Sequence, residues 1–250
     1  MQTEWGCGYL RFRYGTDIGL AREENQDAVR CEYFGHNVLA VVCDGMGGER
    51  AGKEAGELAI EEFFQRFSAD YKESLSDDDI RKLLISSVSA ANSVIYTRAR
   101  FEFRNFGMGT TCVAAFVTSK TAFIANVGDS RAYLITDTGL FRITNDHNVA
   151  SVLYEQGKIT EEEMEVHPQK HMLVRAVGVE KTVVTDTFML DYEDKISLLL
   201  CSDGLSGYCS DDEIYNVILN SDFDDVADEL IKLSLSKGGR DNVTVAVISD

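Results

Sequence analysis

Two kinds of hydrophobic spacing alternate along this chain. Near its start lie two strand-like stretches, Asp27–Phe34 and Asn37–Cys43, joined by Gly35-His36, where His36 reads as a turn residue. The second reads NVLAVVC, an unbroken apolar run that predicts a strand buried on both faces. The period then becomes helical. Over about 51–72, Ala55, Ala59, Phe63, Phe67 and Tyr71 recur every fourth residue. Over about 77–100, Ile80, Leu84, Ser87/Val88, Ala91 and Ile95 do the same, behind the capping candidates Ser76 and Asp77. Strands return at Thr110–Thr118, Thr121–Val127, Arg131–Ile135 and Leu140–Ile143, with short turns such as Asp137-Thr138-Gly139 between them. The stretch of about 145–175 breaks the pattern. It is polar, holds short helical pieces and the run EQGKITEEEMEVHPQKH, and reads as a surface excursion over the sheet. Strands at Val183–Leu190 and Lys195–Cys201, amphipathic helices at about 210–219 and 224–236, and a strand at Asn242–Ile248 follow. Hairpin-length links between strands favour antiparallel sheets covered by helices over a parallel βαβ arrangement.

Pro168 is the one proline in 250 residues, and no Pro-, Gly- or Ser-rich linker divides the chain, which predicts a single domain over residues 1–250. Against 24 Lys and Arg stand 42 Asp and Glu, a net charge of −18. That balance opposes a nucleic-acid binder, which needs a basic face, and opposes binding to an anionic membrane. With 44% apolar residues the acidity is not that of a disordered chain. It serves solubility, or it gathers carboxylates around cations. No apolar run approaches the ~20 residues of a membrane span, and Met1–Tyr14 lacks the apolar core of a signal peptide. The six cysteines (Cys7, Cys31, Cys43, Cys112, Cys201, Cys209) form no C-x-x-C; four of them lie in strand-like stretches, as buried thiols of a reduced, cytoplasmic protein would.

Four aspartates share one context. Asp44 follows VLAVVC and precedes Gly45-Met46-Gly47-Gly48; Asp203 follows ISLLLCS and precedes Gly204; Asp129 follows FIANVG; Asp241 lies between Gly238-Gly239-Arg240 and the last strand. Asp27 opens a strand and is a fifth candidate. Asp beside Gly is ordinary turn chemistry at any one site. Four repeats of the pattern point instead to carboxylates clustered at strand ends, which are costly unless paired. With few basic residues to pair them, a hard divalent cation such as Mg²⁺ or Mn²⁺ is the natural partner. The glycines after Asp44 do not make a dinucleotide turn, because Arg50 stands where the fingerprint needs Gly or Ala; they let the backbone approach an ion, with the Gly45 carbonyl as a ligand. Arg22, in GLAREENQD, suits a phosphate substrate beside such a cluster, or pairs on the surface with Glu23 or Glu24. No H-E-x-x-H occurs, and His167 and His171 read as surface residues of the polar excursion.

GLAREENQDAV, VVCDGMGG, GTT at 109–111, NVGDSRAYLI, ITNDH, LVRAVG, CSDGL and GGRDNVTV occur in that order. In this the chain resembles the metal-dependent protein phosphatases of the PPM/PP2C type, bacterial branch, from about Gly15 to Ile248. The resemblance implies an α+β fold: two antiparallel β-sheets packed as a sandwich and flanked by helix pairs, in four layers αββα. It implies that Asp44 bridges two metal ions, with Asp203 and Asp241 completing one site, and the Gly45 carbonyl and Asp27 (through water) the other. Asp129 with Asp203 would make a third, weaker site, and Arg22 would hold the substrate phosphate. Two to three Mn²⁺ or Mg²⁺ ions are the implied cofactors, and phosphoserine and phosphothreonine proteins the substrates, hydrolysed by a metal-activated water. The excursion at about 145–175 resembles the family's flap subdomain. Some animal members carry His, proposed as general acid, where Met46 stands here; a thioether donates no proton, which leaves that task to a metal-bound water. Asn148 stands where Ser is frequent, and the N-terminal GCGYLRFRYG has no counterpart in the pattern. An active enzyme opposing a Hanks-type Ser/Thr kinase competes with two other accounts: a binding module that has lost the reaction, and a dedicated phosphatase of a sporulation or anti-sigma-factor antagonist. Intact metal positions favour the enzyme.

Overall fold

A computed structural model describes residues 10–47, 51–101, 107–193 and 195–250; Cys7, Gly48, Arg50 and the beginning of the N-terminal extension lie outside them. The strands form two antiparallel sheets. The first contains β2 (Asp27–Phe34), β3 (Asn37–Met46), β5 (Cys112–Val117), β6 (Thr121–Val127) and β9 (Asp186–Asp191) in spatial order, with the short β4 (Gly109–Thr110) beside the end of β3. The second runs β1 (Arg11–Asp17), β11 (Val243–Ser249), β10 (Ser197–Cys201), β7 (Arg131–Thr136), β8 (Gly139–Arg142).

The apolar run NVLAVVC explains the layering. Successive side chains on a strand face opposite sides, so one run feeds two cores. Val38, Ala40 and Val42 pack with Val113, Ala115 and Ile124 against Leu198, Leu200, Ala246 and Ile248 of the other sheet. Leu39, Val41 and Cys43 face the other way, onto α1 (Ala51–Asp70) and α2 (Asp77–Phe101) through Ala55, Phe63, Phe67, Leu84, Val88 and Ile95. The second sheet repeats the scheme with Leu199, Cys201, Val245 and Val247 packed on α5 (Asp203–Ser206), α6 (Asp211–Asn220) and α7 (Val226–Ser236). These three cores separate four layers, αββα, as expected.

The expected elements are present with shifted ends. Ser76 caps α2, its hydroxyl accepting from Asp79 N at 3.3 Å. Tyr71 lies just past α1, and its hydroxyl accepts from Asn37 Nδ2 at 2.8 Å. The expected strand Thr110–Thr118 is broken at Thr111, which turns to hydrogen-bond Asp44. The strand expected from Val183 begins at Asp186. Two elements were not anticipated. β1 is a half-exposed edge strand whose arginines, Arg11 and Arg13, lie over the Phe223 ring while Phe12 packs on the core between the sheets, so the charged residues mask its alternation. The one-turn α5 is too short to show a period. The polar excursion holds α3 (Val149–Glu155) and α4 (Glu161–Glu165), and Asn148 caps α3 by accepting from Ser151 N at 2.9 Å.

Phe67 is fully buried where Phe34, Tyr71 and Phe116 converge on its ring. Phe67→Ala is expected to lower the unfolding free energy by about 3–5 kcal/mol, whereas Phe101→Ala, 85% exposed, should change it by less than ~0.5 kcal/mol. Urea unfolding checks both, and equal midpoints for the two variants would overturn this account of the core.

Candidate metal centre

The five aspartates come from both sheets and meet at one end of the sandwich. Asp27 and Asp44 are directly opposite in the β2–β3 register, so their carboxylates share a face. Asp129 sits in the turn between β6 and β7, where the chain passes from one sheet to the other. Asp203 follows β10 and Asp241 precedes β11; these neighbouring strands bring the two together, with Ser202 N donating to Thr244 O at 3.0 Å. Arg22, Asp44, Gly45, Asp129, Asp203 and Asp241 line a cleft of about 1370 Å³. Asp27 is buried beside them, with Oδ2 accepting from Ser202 Oγ at 2.7 Å.

Backbone and hydroxyl bonds fix this arrangement. Asp44 N donates to Thr111 Oγ1 at 2.9 Å, Thr111 N and Thr110 Oγ1 each donate to Asp44 O at 2.9 Å, and Thr111 Oγ1 and Ser130 Oγ are 2.6 Å apart. The GTT motif is thus the clamp on Asp44. Gly45 is obligatory: a Cβ there would meet the Gly52 carbonyl oxygen at 2.0 Å, because the first turn of α1 presses on this strand. Asn242 is a second clamp. Its Oδ1 accepts from Gln26 N at 2.8 Å, and its Nδ2 donates to Ile18 O at 2.9 Å and Glu24 O at 3.0 Å. It therefore ties the loop that carries Arg22 to the strand that follows Asp241.

Electrostatics suit the cleft to a cation. Burial, then repulsion from the other aspartates, pushes the Asp44 carboxyl well above its usual range. Burial and the Asp203 charge do the same to Asp129. Burial raises Asp27 to about 7, against the hydrogen bonds from Ser202 and Thr244. Three carboxylate oxygens, Glu24 Oε2, Asp27 Oδ1 and Asp203 Oδ1, are buried with no hydrogen-bond partner. Arg22 Nη2 donates to Asp241 Oδ2 at 2.8 Å, and that bond raises its pKa; it does not pair with Glu23 or Glu24 in the ion pairs of the described residues. Partnerless buried oxygens among mutually repelling carboxylates fit hard divalent ions. Among the described residues no group of three or more His, Cys, Asp or Glu side chains is placed so as to hold a metal ion by itself.

Sequence reasoning missed four residues. His171, taken as a surface residue, reaches back from the excursion: its Nδ1 is 3.1 Å from Asp203 Oδ2 and its ring stacks on Tyr208. Nothing in the local sequence signals this return. His147 is buried, and burial lowers its pKa. Its Nδ1 accepts from Gly128 N at 3.0 Å, so Nε2 carries the proton toward Asp186 Oδ2 at 3.1 Å. Asp146 accepts two bonds from Arg131, at 3.0 and 2.8 Å, and pairs with Arg142 at 2.7 Å. The ITNDH motif thus braces the turn that carries Asp129. Asn242 reads in the sequence only as the start of the last strand. The thiols are inert by burial: Cys201 is pushed up to about 12, and the five described cysteines are free. No helix among the described residues is long and apolar enough to cross a membrane.

The family model for protein phosphatase 2C matches residues 20–243. The chain is 36% identical to the serine/threonine phosphatase stp of Listeria monocytogenes over 244 residues, 96% of this chain and 95% of the relative. It is 37% identical over 238 residues to the serine/threonine protein phosphatase PstP of Mycobacterium tuberculosis, 95% of this chain and 44% of the relative. The crystal structure of Stp1 from Staphylococcus aureus superposes with a TM-score of 0.90 at 35% identity, over 98% of this chain and 96% of that one. The PstP catalytic domain in complex with two manganese ions gives 0.82 at 34% identity, over 96% and 97% of the two chains.

Raised carboxyl pKa values set a pH dependence for the metal-free protein. Asp27, Asp44 and Asp129 bind protons more tightly folded than unfolded, so stability is greatest below the unfolded value of ~3.9 and is lost as pH rises toward the folded values. The melting temperature of chelated protein should fall from pH 4 to about 7, where Asp27 titrates. Mn²⁺ should raise it again at neutral pH, and less so in Asp44→Asn. A flat profile with no Mn²⁺ effect would refute the cation site.

Proposed function

Because the chain belongs to the protein phosphatase 2C family and is a metal-dependent serine/threonine protein phosphatase, we propose that Asp27, Asp44, the Gly45 carbonyl, Asp129, Asp203 and Asp241 hold two to three Mn²⁺ or Mg²⁺ ions and that Arg22 binds the substrate phosphate. The observation that carries this assignment is the pair of buried, partnerless oxygens on Asp27, beside the cleft, and on Asp203, in its lining. When bound, the ions supply positive charge and a water of lowered pKa for in-line attack on phosphorus.

The chain's own residues divide the remaining work. Asp44 is central: every other aspartate of the cluster acts on its carboxyl, and its backbone is clamped on both sides by Thr110 and Thr111. Arg22 offers a planar fork to two phosphate oxygens, exchanging the Asp241 carboxylate for the incoming anion. Asn242 keeps that fork in place. Ser202 orients the Asp27 carboxylate. A protein of net charge −18 repels phosphate at long range, so attraction is local, and basic residues flanking the phosphosite assist binding.

Residues 1–250 act as one catalytic domain, with 145–175 as a flap beside the cleft; the reach of His171 to Asp203 supports that placement. The substrates are phosphorylated proteins, and a Hanks-type kinase is the natural antagonist. Five free, buried thiols support a cytoplasmic site of action.

A phosphothreonine peptide should be hydrolysed with Mn²⁺ or Mg²⁺ and not with EDTA, and Asp203→Asn should abolish turnover. Arg22→Ala should lower kcat/KM about a hundredfold. Full metal occupancy without turnover would overturn the assignment. Exchanging 145–175 should alter selectivity among peptides more than turnover of a small aryl phosphate; equal effects on both would remove the flap role.

A further inference from the structure

The cleft has an apolar lining that the phosphate chemistry does not use. Besides the aspartates, Met46, Met172, Val174, Val179 and Val184 line it. Four of these are large apolar side chains left open to solvent: Met172 55%, Val174 53%, Val179 47% and Val184 68% exposed. Apolar groups scattered singly on a surface need no explanation, but several sharing one wall of a functional cleft do.

The wall is built, not loose. Leu173 bridges Asn148, and Val174 N donates to His147 O at 2.9 Å. Val177 and Thr110 exchange both backbone bonds, at 2.8 and 3.0 Å. Buried Asn92 of α2 holds the next turn, its Oδ1 accepting from Gly178 N at 2.7 Å and its Nδ2 donating to Glu180 O at 3.0 Å. Gly178 permits this approach, since a Cβ there would strike Ile95 at 2.1 Å. Met46 and Val179 both close over Gly109, so the wall begins two residues after Asp44 in the same strand.

We infer that this wall is a substrate subsite receiving apolar side chains that flank the phosphorylated residue of the polypeptide substrate. The inference rests on the phosphatase function described above. Continuity with the acidic floor selects this occupant. A phosphate seated between Arg22 and Asp44 forces the peptide on either side across the walls of the cleft, and an extended chain advances ~3.3–3.6 Å per residue. The immediate neighbours of the phosphoresidue therefore meet the wall first. The acidic floor and Glu23, Glu24 and Glu180 elsewhere in the lining disfavour acidic neighbours.

The test compares two phosphothreonine peptides of equal length and charge, with Leu or with Ser on both sides of the phosphothreonine. Both are assayed with the Mn²⁺-loaded wild type, with the double variant Val174→Asn/Val184→Asn, and with the isosteric Val184→Thr. The wild type should favour the Leu peptide in kcat/KM by about tenfold. The double variant should bring that ratio to within about twofold, with Val184→Thr between. A wild-type ratio near one, or a ratio the variants leave unchanged, overturns the inference. So does loss of concentration-dependent self-association in the variants with no change in ratio, which would assign the wall to a second copy of the chain. Failure of the wild type on both peptides would instead strike at the phosphatase assignment itself.

Discussion

Carboxylates gathered in a low-dielectric cleft repel one another, and the folded chain holds Asp27, Asp44, Asp129, Asp203 and Asp241 together against that repulsion. Much of the surrounding structure is the means of doing so. Hydroxyls of Ser202, Thr110 and Thr111 reach the aspartates or their backbone. Strand register sets Asp27 against Asp44, an opposition of like charges that a sheet alone disfavours. Divalent ions held as proposed would turn this liability into a strength, since each aspartate would then face positive charge. Some of the chain's acidity is thereby explained by location, while most of it remains at the solvent-exposed surface.

The alternation of chemistry around Asp129 shows how much of the site lies outside its ligands. Arg131, Arg142 and Asp146 form one nearly buried ion group, in which a single carboxylate answers two guanidinium groups. His147 accepts from the Gly128 amide and passes its own proton toward Asp186, which also binds Arg175. Among the described residues none of these side chains hydrogen-bonds an aspartate of the cation cluster directly. They fix the turn from which Asp129 projects, and such supporting bonds decide how well a metal site is formed.

Much of the fold was legible because local spacing and tertiary role coincide. NVLAVVC reads as doubly buried and is packed on both faces; the four-residue stride of Ala55, Ala59, Phe63 and Phe67 is the buried stripe of α1. The aspartates were legible because strand ends repeat one chemical context. What escaped was set by distant partners. His171 gains its position only when the excursion folds back to Asp203. Asn92 sits on an apolar stripe and is polar because a turn 86 residues away needs its amide. The edge strand β1 has its arginines answered by Phe223 and Asp224, far along the chain.

The pairing of β1 with β11 carries a consequence for how the molecule comes into being. β11 follows every other described strand in the sequence, yet it lies between β1 and β10 in space. On a ribosome, β1 would emerge before the other described strands and wait for its partner until all of them had been made. The second sheet cannot close before then, and such long-range closure is slow. Asp241 and Asn242, which directly precede β11, arrive at the same moment. A growing chain would therefore carry four of the aspartates without the fifth and without the clamp on Arg22. With the ions held as proposed, catalysis would begin only as β11 docks, so the domain would be silent while the preceding strands are being made.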